Sequence, residues 1–186
     1  MKRNRQKKAL YTIIITSIFT AIITVLTFFI KIPSHNGYVH IGDSMIYIAS
    51  CILPAPFALF SAAVGGMLAD TIGGYIIYII PTFIIKALLS VFFNNKGDKI
   101  LTKRNLIALA PATLVTVFGY YIAEAVLVSF SSTGSLSQFF SYLFSPAPWV
   151  TTLYCIPGNI SQAVASAVVF ILLGIALDKI KIKDKI

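Results

Sequence analysis

The sequence predicts an all-α membrane protein of six transmembrane helices, and three observations carry that expectation. Apolar residues make up 58% of the chain and charged residues 11%, with a mean hydropathy of +0.88. Soluble domains sit near about 45–50% and about 25%. Uncharged runs recur along the chain at lengths that suit spans of about 20 residues. The cations are grouped: of 15 Lys and Arg, all but Lys31 and Lys86 fall within residues 2–8, 96–104 and 179–185. Short basic clusters between apolar segments mark cytoplasmic ends. The net charge of +9 therefore reads as topology and excludes a nucleic-acid partner. Both termini are expected in the cytoplasm, and residues 1–186 are read as one multi-pass domain in the cell membrane.

The elements follow in order. Residues 2–8 are a basic tail, and the uncharged run 9–30 is long enough for helix 1. That run exceeds the core of about 7–15 residues of a signal peptide, and no clear small-x-small cleavage site follows it. Residues 31–40, with Pro33 and Gly37, read as an outer loop. The uncharged run 44–69 is long for one span and short for two, with Pro54 and Pro56 near its middle. Crossing once would put the basic cluster 96–104 outside, against the basic-loop rule. Two short helices folded at Leu53-Pro54-Ala55-Pro56 keep every cluster inside, and a proline pair suits a turn better than a helix interior. Helices 2 and 3 are thus expected to form a hairpin.

Helix 3 carries Ser61, Gly65 and Ala69 at four-residue spacing, with Ala62 and Gly66 alongside. Small residues so spaced let membrane helices approach closely. Residues 70–74 are expected to form a tight outer turn. Helix 4 covers about 75–93, helix 5 about 106–130 and helix 6 about 153–177. The segment 131–152, rich in Ser and aromatics, reads as the longest outer loop.

A few polar residues interrupt these apolar segments. A charge at a bilayer centre costs about 2.5–3.5 kcal/mol on insertion scales, so such residues usually pair or line a cavity. Asp43 starts helix 2 and Asp70 ends helix 3 on the outer side, with Lys86 somewhat deeper. Glu124 precedes the outer end of helix 5 by about two turns. Asn159 and Gln162, three apart, share one face early in helix 6. Five helices thus bring polar groups to one level. Tyr78 and other aromatics would wall such a pocket, with His40 and Trp149 nearer its lid. Each residue also has a plainer role. Asp43 suits a helix start, Lys86 could snorkel or pair with Glu124, and Asn159 and Gln162 suit interhelical hydrogen bonds. The tyrosines and Trp149 suit an interfacial belt. Together they describe a pocket for a flat polar heterocycle. Cys51 and Cys155, without a CxxC or a His cluster, read as structural, and no metal or cofactor is expected.

His40-Ile41-Gly42-Asp43, Gly65-Gly66, Ala69-Asp70 before Gly74-Tyr75, and Pro81-Thr82-Phe83 with Lys86 carry a resemblance over nearly the whole chain. With Glu124 after Gly119-Tyr120, and Pro157-Gly158-Asn159 with Gln162, the chain resembles the substrate-binding (S) components of energy-coupling factor (ECF) vitamin transporters. It is most similar to the riboflavin, hydroxymethylpyrimidine and pyridoxine-type branch. The resemblance implies a non-enzymatic, high-affinity vitamin-binding subunit of an ABC importer. Its partners would be an energising transmembrane subunit and two ATP-binding cassette ATPases. It also implies contact with that subunit through small residues on helix 1, at positions held here by Ser17 and Ala21. The competing readings are a self-sufficient ion-coupled carrier using Lys86 and Glu124, and an intramembrane aspartyl enzyme using Asp43 and Asp70.

Overall fold

The computed structural model describes residues 2–33 and 38–185. Of the expected outer loop 31–40, residues 34–37, Gly37 among them, lie outside the described residues. Those on either side form a short antiparallel pair, β1 (Lys31–Pro33) with β2 (Tyr38–His40), in which Lys31 faces His40.

Before that hairpin, α1 (Lys2–Phe29) extends the expected first helix back through the basic tail. α2 (Asp43–Ile52) and α3 (Ala55–Gly73) are separate helices, as the proline pair predicted. Leu53 is extended (ψ 152°), the conformation that a following proline imposes on the residue before it. Pro56 falls in the first turn of α3, where its missing N–H leaves no hydrogen bond unmade. Asp70 was expected in a turn; α3 instead runs on to Gly73, and Asp70 lies in its last turn. Gly74 (φ 79°) ends the helix in the left-handed region, where glycine carries no steric penalty.

A 3-10 turn at Ile76–Tyr78 leads into α4 (Ile79–Val91). After α5 (Lys103–Ile107) comes the long α6 (Leu109–Ser131). The expected loop 131–152 is mostly helical, holding α7 (Leu136–Leu143) and α8 (Pro146–Thr151). Ser135 caps α7 by accepting the Gln138 N–H, and Pro146 opens α8 at a position suited to proline. α9 (Cys155–Lys179) and α10 (Ile182–Lys185) complete the chain.

Among the described residues, four helical stretches are long and apolar enough to cross a membrane: Arg5–Phe29, Ala55–Gly73, Lys103–Ser131 and Pro146–Lys179. The apolar helices Asp43–Ile52 and Ile76–Val91 are shorter.

α2 lies at the centre. Residues 43–51 are buried all round it, enclosed by α1, α3, α4 and α9. Beside it the core is aromatic: Tyr47 stacks on Phe93 with ring centroids 4.6 Å apart and meets Phe170 edge-on at 5.8 Å. α3 is clasped between α1 and α4 through its small residues. Ser61, Ala62, Gly65, Gly66 and Ala69 are all buried. Thr24 of α1 donates to the Gly65 carbonyl at 3.0 Å. A Cβ on Gly65 would lie 2.8 Å from Ile23 Cγ2, and one on Gly66 would lie 2.8 Å from Lys86 Cγ.

The far end of the bundle gathers the basic segments. Asn105 donates to the carbonyls of Asn94 and Ile100 and accepts the Asn94 N–H. Asp178 accepts the N–H groups of Ile100 and Leu101, and Lys183 donates to the Asn95 carbonyl. Tyr11 and Thr12 of α1 share a groove there with Pro54, Asn95 and Lys183. The N-terminal half of α1, the 92–104 segment and the C-terminus therefore meet at one end, opposite the β-hairpin.

The tight α1–α3 contact makes a stability prediction. Gly65→Val forces a branched side chain into the space held by Ile23, and overpacking of this kind costs about 1–3 kcal/mol. Thermal unfolding of the detergent-solubilised protein should show a clearly lower midpoint. An unchanged midpoint would mean that the two helices have room to spare.

Candidate functional site

At the hairpin end the buried polar groups converge on a pocket of about 640 Å³, measured out to its mouth. Thr27 comes from α1; Tyr38, Val39 and His40 from β2; Asp70 from α3; and Tyr75, Tyr78 and Thr82 from the approach to α4 and its first turns. Tyr120 and Glu124 come from α6, Tyr154 from the 3-10 turn Thr152–Tyr154 before α9, and Cys155, Gly158, Asn159 and Gln162 from the start of α9.

Beneath it lies an ion pair. Lys86 Nζ is 2.7 Å from Asp43 Oδ1, with the side chains 1% and 0% exposed. Gln162 Nε2 donates to Asp43 Oδ2 at 3.0 Å, and the ammonium lies 5.1 Å from the Tyr120 ring centroid. Both carboxylate oxygens of Asp43 are thereby engaged. Because the amide nitrogen of Gln162 is turned to Asp43, its carbonyl end remains as an acceptor.

The other two carboxylates belong to the pocket wall. Glu124 accepts the Tyr78 hydroxyl at 2.8 Å and the Tyr154 hydroxyl at 3.3 Å. Asp70 Oδ1 accepts from the Tyr38 hydroxyl at 2.8 Å. Asp70 Oδ2 is buried without a hydrogen-bond partner among the described residues. Thr27 Oγ1 is likewise buried and unpartnered. Buried polar atoms are nearly always satisfied, so two such atoms in one wall are a functional signal.

His40 accepts the Gly42 N–H at Nδ1 (3.0 Å), which places the proton of the neutral ring on Nε2. Burial, and then the neighbouring Lys86 cation, push its pKa down to about 3, so the ring is neutral at physiological pH. A Cβ on Gly42 would collide with Thr27 Oγ1 and lie 3.2 Å from His40 Nδ1. Glycine at this position lets the hairpin close onto α1. At the rim, Lys31 Nζ lies over the rings of Phe28, Tyr38 and Tyr75, at 4.5, 4.9 and 5.6 Å.

Of the residues singled out from sequence, His40, Asp70, Tyr78, Glu124, Asn159 and Gln162 line the pocket. Asp43 and Lys86 do not line it; they are sealed beneath it by their own pairing. The suggested Lys86–Glu124 pair is corrected as well, since Lys86 bonds Asp43 while Glu124 is held by two tyrosines. Trp149 also lies off the lining. Its indole N–H donates to the Leu143 carbonyl, and its own carbonyl accepts the Tyr121 hydroxyl, fastening α7 and α8 to α6. Thr27, Tyr38 and Tyr154 join the site without having been singled out. Thr27 had a signal in the run Thr16, Thr20, Thr24, Thr27, which marks the buried face of α1. Ser17 and Ala21 lie on its exposed face, beside Ile14, Ile18 and Val25, and do not pack inside the bundle. Among the described residues, no His, Cys, Asp and Glu cluster forms a metal site.

Residues 7–179 match the model of one protein family, described as ECF-type riboflavin transporter, S component. Comparison with curated proteins and with solved structures returns no match.

The buried ion pair predicts a double-mutant cycle. Removing one partner of such a pair strands the other charge and costs about 3–5 kcal/mol. Asp43→Asn and Lys86→Met should each lower the unfolding midpoint strongly, and the double variant should regain much of the loss. Additive losses in the double variant would show that the two side chains do not support each other.

Proposed function

We propose that this chain, which belongs to the family of ECF-type riboflavin transporter S components, is the vitamin-binding subunit of an ECF-type importer. Its ligand is a vitamin or vitamin precursor built on a flat polar heterocycle: riboflavin-like, pyridoxine-type or hydroxymethylpyrimidine. One observation carries the reading. Tyrosine walls and convergent polar groups enclose a pocket in which buried Asp70 Oδ2 and Thr27 Oγ1 have no partner among the described residues. Aromatic faces suit a flat ring, and a few fixed polar atoms orient it. In this reading His40, Asp70, Tyr78, Glu124, Asn159 and Gln162 contact the ligand. Asp43 and Lys86 brace the floor, and Trp149 anchors the segment beside the mouth.

We read the topology as six crossings with both termini in the cytoplasm, the pocket opening to the outside. Supporting this, the basic segments meet at the end opposite the pocket, as the positive-inside rule requires of short loops. The two shorter helices would cross within the bundle, sheltered by the longer four. The chain has no GxxxxGK[ST] phosphate loop, so ATP-driven uptake would draw on an energising transmembrane subunit and its two ATPases. The family match lends no support to the carrier alternative.

Two experiments test this. The protein purified in detergent should release on heating a small molecule whose ultraviolet–visible spectrum identifies a flavin, pyridine or pyrimidine. If no heterocycle is released, and none of the three vitamins binds to the emptied protein, the assignment fails. The second concerns the exposed α1 face. Ser17→Trp or Ala21→Trp adds an indole where small residues would admit a neighbouring helix. Ligand binding by the isolated subunit should be unchanged, while uptake by cells carrying the whole importer is lost. Normal uptake by both variants would remove this face from the docking surface.

A further inference from the structure

We infer that the pocket selects the unphosphorylated, neutral or cationic form of its heterocycle and rejects phosphate esters and carboxylic acids. The inference rests on the ligand-binding reading above and sharpens it to a chemical class.

Among the described residues, the lining holds two carboxylates and no cation. Asp70 and Glu124 are 4% and 7% exposed, so each is shielded from bulk water that would screen it. Lys86, the cation nearest the floor, is neutralised by Asp43 at 2.7 Å and closed off at 1% exposure. Lys31, at the rim, has its ammonium over three aromatic rings and is not part of the lining. His40 already spends Nδ1 on the Gly42 N–H and offers one N–H, from a neutral ring.

The polar atoms left over include strong acceptors, while the donors among them, such as the Asn159 amide and the His40 N–H, are uncharged. Asp70 Oδ2 is unpartnered; Thr27 Oγ1 accepts or donates; and the Gln162 carbonyl is the free end of its amide. The phenol of Tyr38 donates to the Asp70 carboxylate, so it presents lone pairs to a ligand. Such a wall is met by amino, ring N–H, hydroxyl or protonated ring nitrogen groups. A phosphate or carboxylate would enter beside two like charges, with no arginine or lysine among the described lining residues to receive it. Like-charge contact in a desolvated site is strongly unfavourable.

The test is a set of calorimetric titrations of the full-length protein, emptied of ligand, with matched pairs. Riboflavin, pyridoxine and hydroxymethylpyrimidine are each measured beside their phosphate monoesters. Whichever free vitamin binds, its ester should bind at least about 100-fold more weakly. The double variant Asp70→Asn/Glu124→Gln keeps shape but removes both charges, and should narrow that gap to within about tenfold. Comparable binding of vitamin and ester by the parent protein overturns the inference and leaves the vitamin-binding assignment standing. A wide gap that persists in a folded double variant also overturns it, because charge would not be the cause. Should the double variant not fold, the gap in the parent protein decides alone. Failure of every compound to bind removes both this inference and the assignment on which it rests.

Discussion

The contact on which the rest depends is the ion pair between Asp43 and Lys86. Neither charge is tolerable alone at 0% and 1% exposure, because desolvating an ion costs several kcal/mol even after the surroundings relax. Pairing offsets that cost only when geometry and further hydrogen bonds are good. Here the remaining Asp43 oxygen takes the Gln162 amide, and the Lys86 ammonium faces the Tyr120 ring. The pair thereby joins α2 to α4, and Gln162 adds α9. A buried charge pair is directional where apolar packing is not, so it sets the rotation of three helices about their axes. Those rotations decide which side chains of α4 and α9 reach the pocket.

The division of labour among the acidic residues follows. Asp43 is fully committed to structure; Glu124 accepts a tyrosine hydroxyl at each oxygen, and Asp70 accepts one at Oδ1 while Oδ2 stays unpartnered among the described residues. The floor is thus rigid and electrically closed, while the wall keeps unspent hydrogen-bonding capacity. The tight approach of α3 to α1 at Gly65, and to α4 at Gly66, holds the wall residues on either side without bulky side chains between the helices.

Much of this was legible in the sequence. The break before Pro54, the small residues of α3 and the convergence of polar groups from separate helices all follow from residue type and spacing. The partner of Lys86 was not legible. Asp43 and Glu124 lie at similar depths, and depth along an axis says nothing about the direction in which a neighbouring helix turns its side chains. Trp149 looked like part of a lid because it sits among prolines and serines. Its indole is instead spent on the Leu143 carbonyl, a contact created by α7 and α8. Those helices, Leu136–Leu143 and Pro146–Thr151, are too short for helical periodicity to stand out. Tyr38 and Tyr154 resembled any tyrosine at a membrane boundary, and only tertiary folding aims their hydroxyls at Asp70 and Glu124.

The complete burial of α2 has a consequence for assembly. Ten residues rise only about 15 Å, half the thickness of a hydrocarbon core of about 30 Å. Alone in lipid, such a segment would leave its end groups, and the Asp43 carboxylate with them, without partners. The long helices α1, α3, α6 and α9 can settle in the bilayer independently, but α2 needs walls already standing around it. Its stability therefore depends on those walls, and Lys86 has its counter-charge only where α2 is docked. The pocket has no finished floor without that helix.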